Sequence, residues 1–334
     1  MTDFLSTARL SRRALFGAAA ATLGTAAVAG AVGSTPAGAA AASTAGLPDA
    51  FTKAFRKPGT ATAAGFRWWW PYGLVDPAEV AREVDTVADA GFGVLEVAVV
   101  THSLSARGIE VDVAKHGWGS PSWVAGVKAA LARGAKRDVR IDLTVGPSWP
   151  AAVSTITPDD DAACSELAYG RVDVAAGQTF DDAIPAPQGE SHGDRVDLVT
   201  VQAHRITAST SSITTLDPGS HLDLSGQVRD GRLSWTAPAE PAGSWVVLAT
   251  WRRGSGQEPE AGPHTSPRSY VVDHFSEAGT EAVVDLWKDT ILDKELRSLL
   301  RAAGGYLFED SLEIESEATI WTPKLLEEFR TRAG

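Results

Sequence analysis

The chain has 334 residues, 44% of them apolar and 22% charged, with a formal net charge of −12. Such a composition sets aside disorder as the overall state and suffices for one large domain or two smaller ones. The acidic balance argues against nucleic acid or an anionic membrane surface as the main partner, since either selects for a basic patch, and favours a neutral or cationic ligand.

The first 45 residues read as an export signal and linker rather than as part of the fold. Ser11-Arg12-Arg13-Ala14-Leu15-Phe16 sets twin arginines before a weakly apolar stretch from Gly17 to Val32, and the small residues around Ala37-Gly38-Ala39 suit a signal peptidase. The stretch is too short and too glycine-rich to span a membrane stably. A twin-arginine (Tat) signal predicts engagement of the Tat export machinery and an extracytoplasmic or secreted location. No later segment approaches the length of a membrane helix.

Residues 46–171 carry an α/β pattern. Phe66 to Trp70 reads as a strand, and Asp76-Pro77-Ala78-Glu79 then opens a helix with an N-cap Asp, a first-turn Pro and a Glu closing a capping box; Gly91 ends it. Val94 to Val100 is a nearly unbroken apolar run, as expected of a parallel strand buried on both faces. Ser120-Pro121 repeats the helix start, Gly134 supplies a stop, and Ile141 to Val145 forms a third strand. Alternation at this spacing predicts βαβ units. Asp159-Asp160-Asp161 reads as a helix N-terminus favoured by the macrodipole, because it lacks the Asp-x-Asp-x-Asp-Gly spacing of a calcium loop. Cys164 is the only cysteine, so no intramolecular disulfide can form. With no His near it in sequence, it is a poor candidate nucleophile.

From 172 to 253 the composition turns to Thr, Ser, Val, Asp and Gly with short alternating runs, such as Asp197 to Gln202 and Ser244 to Trp251, predicting an inserted antiparallel β domain. Residues 254–267, rich in Gly, Pro and Ser, read as a linker. The α/β pattern resumes over 268–334 with a long helix from about Ser276 to Ala303, a strand from Tyr306 to Phe308 and a last helix opened by Thr322-Pro323. The fold class expected is therefore α/β: a partial (β/α)8 TIM-type barrel of about four βα units with an inserted antiparallel β domain.

The strand at Tyr306 to Phe308 stops abruptly on Glu309, Asp310 and Glu313. Acids at the C-terminal tip of a buried strand are how such a barrel presents catalytic groups. Glycoside hydrolysis needs one protonated carboxyl to protect the departing oxygen and one ionised carboxylate. Glu309 is the first candidate for the acid, because apolar Leu307 and Phe308 and the charges of Asp310 and Glu313 would all favour keeping it protonated. The plainer alternative is that these acids flank a loop. In Phe66-Arg67-Trp68-Trp69-Trp70-Pro71, strand alternation puts Trp68 and Trp70 on one face and Trp69 on the other; an indole offers a stacking platform for a pyranose, or simply fills the core. Trp149, after the third strand, is a candidate pocket wall or loop-packing residue. Glu96 is a charge in an apolar strand and needs a partner, either an ion pair or a ligand or metal. His102, beyond the second strand, and Asp273-His274, before the long helix, are further substrate-contact candidates that could equally be structural.

Arg67-Trp68-Trp69-Trp70-Pro71, Gly93-Val-Leu-Glu-Val97, Gly117-Trp118-Gly-Ser-Pro-Ser-Trp123, Asp142-Leu-Thr-Val-Gly-Pro-Ser-Trp-Pro150, Val272-Asp-His-Phe-Ser276 and Leu307-Phe-Glu-Asp-Ser-Leu-Glu313, in this order and spacing over residues 65–334, resemble family 106 of the glycoside hydrolases, the α-L-rhamnosidases. The stretch ending in Trp245 to Trp251 and Gly256-Gln257 resembles the β segment that family places inside its barrel. The resemblance implies a (β/α)8 catalytic domain, an inverting mechanism, substrates bearing terminal α-L-rhamnosyl residues and a calcium ion near the site, with no organic cofactor. It matches Glu309 to a strand-end general acid, with Glu313 close enough to compete. Family members continue beyond the position of Gly334, and the catalytic base is expected in that further part, so this chain alone is expected to be inactive. The competing expectations are a noncatalytic carbohydrate-binding protein and a truncated product without function.

Overall fold

The computed structural model describes residues 49–99, 102–315 and 318–333; the twin-arginine segment lies outside them. The chain divides into a leading unit, Met1–Lys53, and a second, Ala54–Gly334, whose fold follows. No helix among the described residues is long and apolar enough to cross a membrane.

Strand β1 (Gly65–Trp70) leads to helix α1 (Pro77–Asp89). Asp76 caps α1 by accepting from the backbone N–H groups of Ala78 (2.7 Å) and Glu79 (3.1 Å), a cap typically worth about 1 kcal/mol. Glu79 does not close the box; its carboxylate turns to Arg82. Strand β2 (Val94–Val99) follows, then α2 (Pro121–Arg137) and β3 (Arg140–Thr144). Gly134 is no stop, for α2 runs three residues further, to a left-handed Asp138 at φ 55°. A Cβ at Gly134 would lie 2.5 Å from the Val139 carbonyl oxygen, so glycine there lets the helix press against the entry to β3.

Short β4 (Ala152–Val153) precedes a run of antiparallel strands: β5 (Ser165–Ala175), β6 (Thr179–Ala183), β7 (Val196–Ser209), β8 (Thr214–Leu216), β9 (Leu222–Asp223), β10 (Arg232–Thr236) and β11 (Ser244–Gly254). After β12 (Tyr270–Val271), which pairs with β4, come α3 (Glu277–Leu286), α4 (Lys294–Ala303), β13 (Gly304–Phe308), β14 (Thr319–Trp321) and α5 (Leu325–Ala333). The single long helix expected from Ser276 to Ala303 is broken. A wide π turn spans Trp287–Ile291, the Trp287 indole N–H donates to the Val145 carbonyl at 2.7 Å, and Asp293 starts α4 afresh by accepting from the Leu296 N–H.

Strands β1, β2, β3 and β13 form a parallel sheet in that order. One face meets the helices: Trp70, Leu95, Val97, Ile141 and Leu143 share a core with Val84 of α1, Trp123, Val127 and Leu131 of α2 and Leu296 of α4. The opposite face carries Arg67, Trp69, Glu96, Asp142 and Phe308, by alternation along each strand and the in-register pairs Arg67–Glu96 and Glu96–Asp142. Buried Asp142 accepts from Arg140 (2.9 and 3.0 Å) and from the Tyr306 backbone N–H (2.8 Å). Its carboxylate occupies the place a side chain at 305 would take, since a Cβ on Gly305 would fall 1.8 Å from Oδ1. The pairing of β13 with β3 shifts register there.

The antiparallel strands build a larger sheet, β14-β5-β11-β7-β8, and a two-stranded sheet, β10-β6. They enclose a second core that includes Val174, Val201, Leu233, Trp235, Trp245 and Val247. This unit differs from the insertion expected over 172–253. It begins at Ser165, and β14, from the far side of the acid-bearing loop, closes one edge. Asp159, Asp160 and Asp161 head no helix. Asp160 accepts from Thr157, Asp159 from the Asp194 and Arg195 N–H groups, and Asp161 pairs with Arg195 and Arg252, fastening the loop to the sheet. Residues 254–267 are a packed strap rather than an exposed linker: Ser255, His264 and Thr265 are buried, and the His264 carbonyl accepts from the Trp118 N–H at 2.9 Å.

Candidate functional site

The loops leaving β3 and β13 run side by side, joined where the Val145 N–H donates to the Phe308 carbonyl at 2.9 Å. At this end of the parallel sheet, Glu309 Oε1 accepts from the Ala151 backbone N–H at 2.7 Å and lies 2.6 Å from His274 Nε2. His274 Nδ1 lies 2.8 Å from the Val272 carbonyl oxygen, which can only accept, so Nδ1 carries a hydrogen. A short contact between Nε2 and a carboxylate oxygen also needs a proton between them. Burial opposes charge on His274, yet the hydrogen bond and charge of Glu309 outweigh it and raise its pKa above the ordinary value. Burial likewise favours a protonated Glu309, but the bonds from His274 and Ala151 hold its carboxyl below the usual range. The resting pair is therefore an imidazolium and a carboxylate, and Oε2 of Glu309 is the oxygen left without a bond from a described residue.

This differs from the expectation that its neighbours keep Glu309 protonated. Leu307 is 53% exposed and does not enclose it. Asp310 pairs with Arg67, which offsets its charge, and Glu313 turns its carboxylate to the Trp149 indole N–H. Arg67 sits between the rings of Trp69 (5.4 Å) and Phe308 (5.3 Å), donates to Glu96 at 2.5 Å and pairs with Asp310. Burial disfavours its charge, but the two carboxylates more than compensate and raise its pKa. Glu313 Oε2 accepts from the Trp149 indole N–H at 3.0 Å. Gln257, from the strap, clamps the backbone of the same loop, donating to the Glu313 carbonyl (2.7 Å) and accepting from the Glu315 N–H (2.9 Å).

The structure thus brings together Glu309, Asp310, Glu313, His274 and Trp149. Trp68 and Trp70 point the other way. Trp70 is 2% exposed in the helix-facing core, while Trp68 donates its indole N–H to Glu83 of α1 at 2.8 Å and packs edge-on against Trp70. Alternation is as expected, but the accessible indole is that of Trp69, 44% exposed beside Arg67. Asp273 is buried and structural in its contacts, accepting from the Phe275 N–H and the Thr322 hydroxyl. His102 begins a one-turn helix, His102–Ser105; its side chain is outside the described ones. A cavity of about 790 Å³ is lined by Asp161, Arg195, Arg252, Phe275 and Lys324 among others, but not by Glu309 or Glu313.

Among the described residues, no three His, Cys, Asp or Glu side chains converge as a metal site. Glu96, the one candidate ligand from the sequence, is engaged by Arg67. Arg67, Gln257 and the Ala151 N–H were not assigned roles from sequence. Arg67 had a usable signal, being a lone cation two residues from Trp69 on the same strand face. A backbone donor has none.

No protein-family model matches the sequence, and no curated protein matches it either. The mixed α/β architecture, a parallel sheet joined to an antiparallel unit, does have a counterpart among solved structures. A rhamnosidase from Novosphingobium sp. PP1Y is similar to this chain at a TM-score of 0.59 and 16% identity, over 84% of this chain and 41% of that one. The likeness shows a rhamnosidase-like fold, and this chain spans about two-fifths of that structure's length.

Proposed function

We propose that this chain carries the acid-bearing part of a glycoside hydrolase of the inverting α-L-rhamnosidase type, acting on terminal α-L-rhamnosyl residues from a (β/α)8 barrel of family 106. The observation that supports this reading most directly is the gathering of Glu309, Asp310 and Glu313 with His274 and Trp149 at one end of a parallel sheet. The rhamnosidase-like fold adds to it. In this reading a carboxyl at the loop after β13 protonates the leaving oxygen, and an inverting partner stands roughly 6.5–9.5 Å away across the sugar ring. Glu309 is the first candidate donor, through Oε2, which has to take up a proton before it can give one to the leaving oxygen; Glu313, steadied by Trp149, is the second. Export by the twin-arginine route belongs to the same proposal, and replacing Arg12 and Arg13 with Lys should trap the precursor inside the cell.

The test is rhamnose release from aryl and alkyl α-L-rhamnosides by an active protein containing this segment. If Glu309 is the acid, Glu309→Gln should spare activated aryl substrates while slowing poor leaving groups by about 10²- to 10⁴-fold. The same pattern for Glu313→Gln alone would move the role to Glu313. Equal losses on both substrates for both variants would refute the acid assignment.

A further inference from the structure

The larger antiparallel sheet has a second face that neither core covers. Alternation along β5 places Leu167, Tyr169, Arg171 and Asp173 there, and the register sets Val246, Leu248 and Thr250 of β11 beside them. The loop between β7 and β8, Thr210 to Ile213, stands over one side. The result is a groove of about 590 Å³, within the range of small-molecule sites, about 300–1,000 Å³.

Its chemistry is specific in three respects. Tyr169 is 50% exposed, although an aromatic ring on a strand ordinarily gains by being covered. Arg171 is held by two bonds to Asp173 (2.8 and 2.9 Å) and one to the Thr214 hydroxyl (3.0 Å), so the groove presents a charge-compensated guanidinium rather than a free cation. Ser209, Thr210, Ser211, Ser212, Thr214 and Thr250 line the rest beside Leu248, and the Ser209, Thr210, Thr214 and Thr250 hydroxyls are already bonded within the protein. An anion would have to displace Asp173 from Arg171, and a wholly apolar ligand would strip water from the hydroxyls without replacing their bonds. A neutral saccharide satisfies all three features: its C–H face stacks on the ring, and its hydroxyls both give and take hydrogen bonds.

We propose that this groove is a binding site for a neutral oligosaccharide, separate from the carboxylates around Glu309. It holds whether or not those carboxylates are catalytic.

The experiment is affinity electrophoresis and calorimetry of the folded chain with three neutral probes: a β-1,4-glucan, a β-1,4-xylan and a rhamnan. Retardation by at least one probe is expected, with affinity at least about tenfold weaker in Tyr169→Ala and weaker in Arg171→Gln. Both sites lie on an exposed face, and unchanged circular dichroism and melting would confirm that the variants fold. Glu309→Gln should bind as the wild type does. Absence of retardation by all three probes, or binding that survives Tyr169→Ala, would overturn the proposal. So would binding lost in Glu309→Gln, which would place the sugar at the other site.

Discussion

Replacing His274 with Ala isolates the ion pair at the heart of the candidate site. The contact is short, 2.6 Å, with side-chain exposures of 11% for His274 and 28% for Glu309. That places it between exposed pairs, worth about 0–1 kcal/mol, and fully buried ones, whose disruption costs about 3–5 kcal/mol, so about 2 kcal/mol is the expected loss. At roughly 2.1 cal/mol/K of unfolding entropy per residue, a unit as long as Ala54–Gly334 would melt lower by about 3–4 °C. The pH dependence has a definite sign. The pKa of His274 is raised by Glu309, so its contribution is complete below the ordinary histidine value, about 6.5, and is lost as pH rises through the raised one. The pKa of Glu309 is lowered, so its contribution is present above about 4.3 and disappears as pH falls through the depressed value. Thermal unfolding of both proteins should therefore show a gap near 2 kcal/mol at about pH 6 that narrows steadily on the alkaline side. A gap that stays constant from pH 6 to 10, or no gap at pH 6, would refute an imidazolium–carboxylate pair.

Glu166 and Arg253, 1% and 2% exposed and bonded at 2.7 Å, tie β5 to β11, and Glu166→Ala should cost about 3–5 kcal/mol in urea unfolding by leaving a buried charge without this partner. Trp70→Ala should cost about 3–5 kcal/mol as a core cavity. Trp69→Ala, on the open face, should cost no more than about 1 kcal/mol from the lost contact with Arg67; equal losses for the two would reverse the assignment of faces. Cys164 is buried, which pushes its thiol up to about 11, so it should resist a thiol reagent at pH 8 until the protein unfolds; rapid labelling of the native chain would contradict its placement.

Local signals in the sequence located the parallel strands and their helices well. Asp76-Pro77 and Ser120-Pro121 state helix starts in a chemistry that needs no distant partner, and the apolar run at Val94 cannot be exposed. What failed was whatever depended on contacts far along the chain. Nothing near Ser276 announces that Trp287 will reach Val145 and break the helix, and nothing in Gly134 distinguishes a stop from a close approach to Val139. The acids illustrate the same limit. Their clustering was legible at Glu309, Asp310 and Glu313, but the partners they bond, His274, Arg67 and Trp149, were not. Asp310 and Arg67 are 243 residues apart. Face choice in β1 also lay beyond alternation, because the period fixes that Trp68 and Trp70 share a side and leaves open which side the helices cover.

Arg67 belongs to the first strand of the parallel sheet and Asp310 directly follows the last, with β2 and β3 between them. At about 4.8 Å per strand, a flat sheet would hold β1 and β13 some 14 Å apart, yet the guanidinium touches rings from both. The sheet must therefore curl toward its open face. The loop bearing the acids thus owes its shape to groups drawn from both edges of the sheet, and a change in β1 at Arg67 reaches Asp310 without touching the strand that carries it.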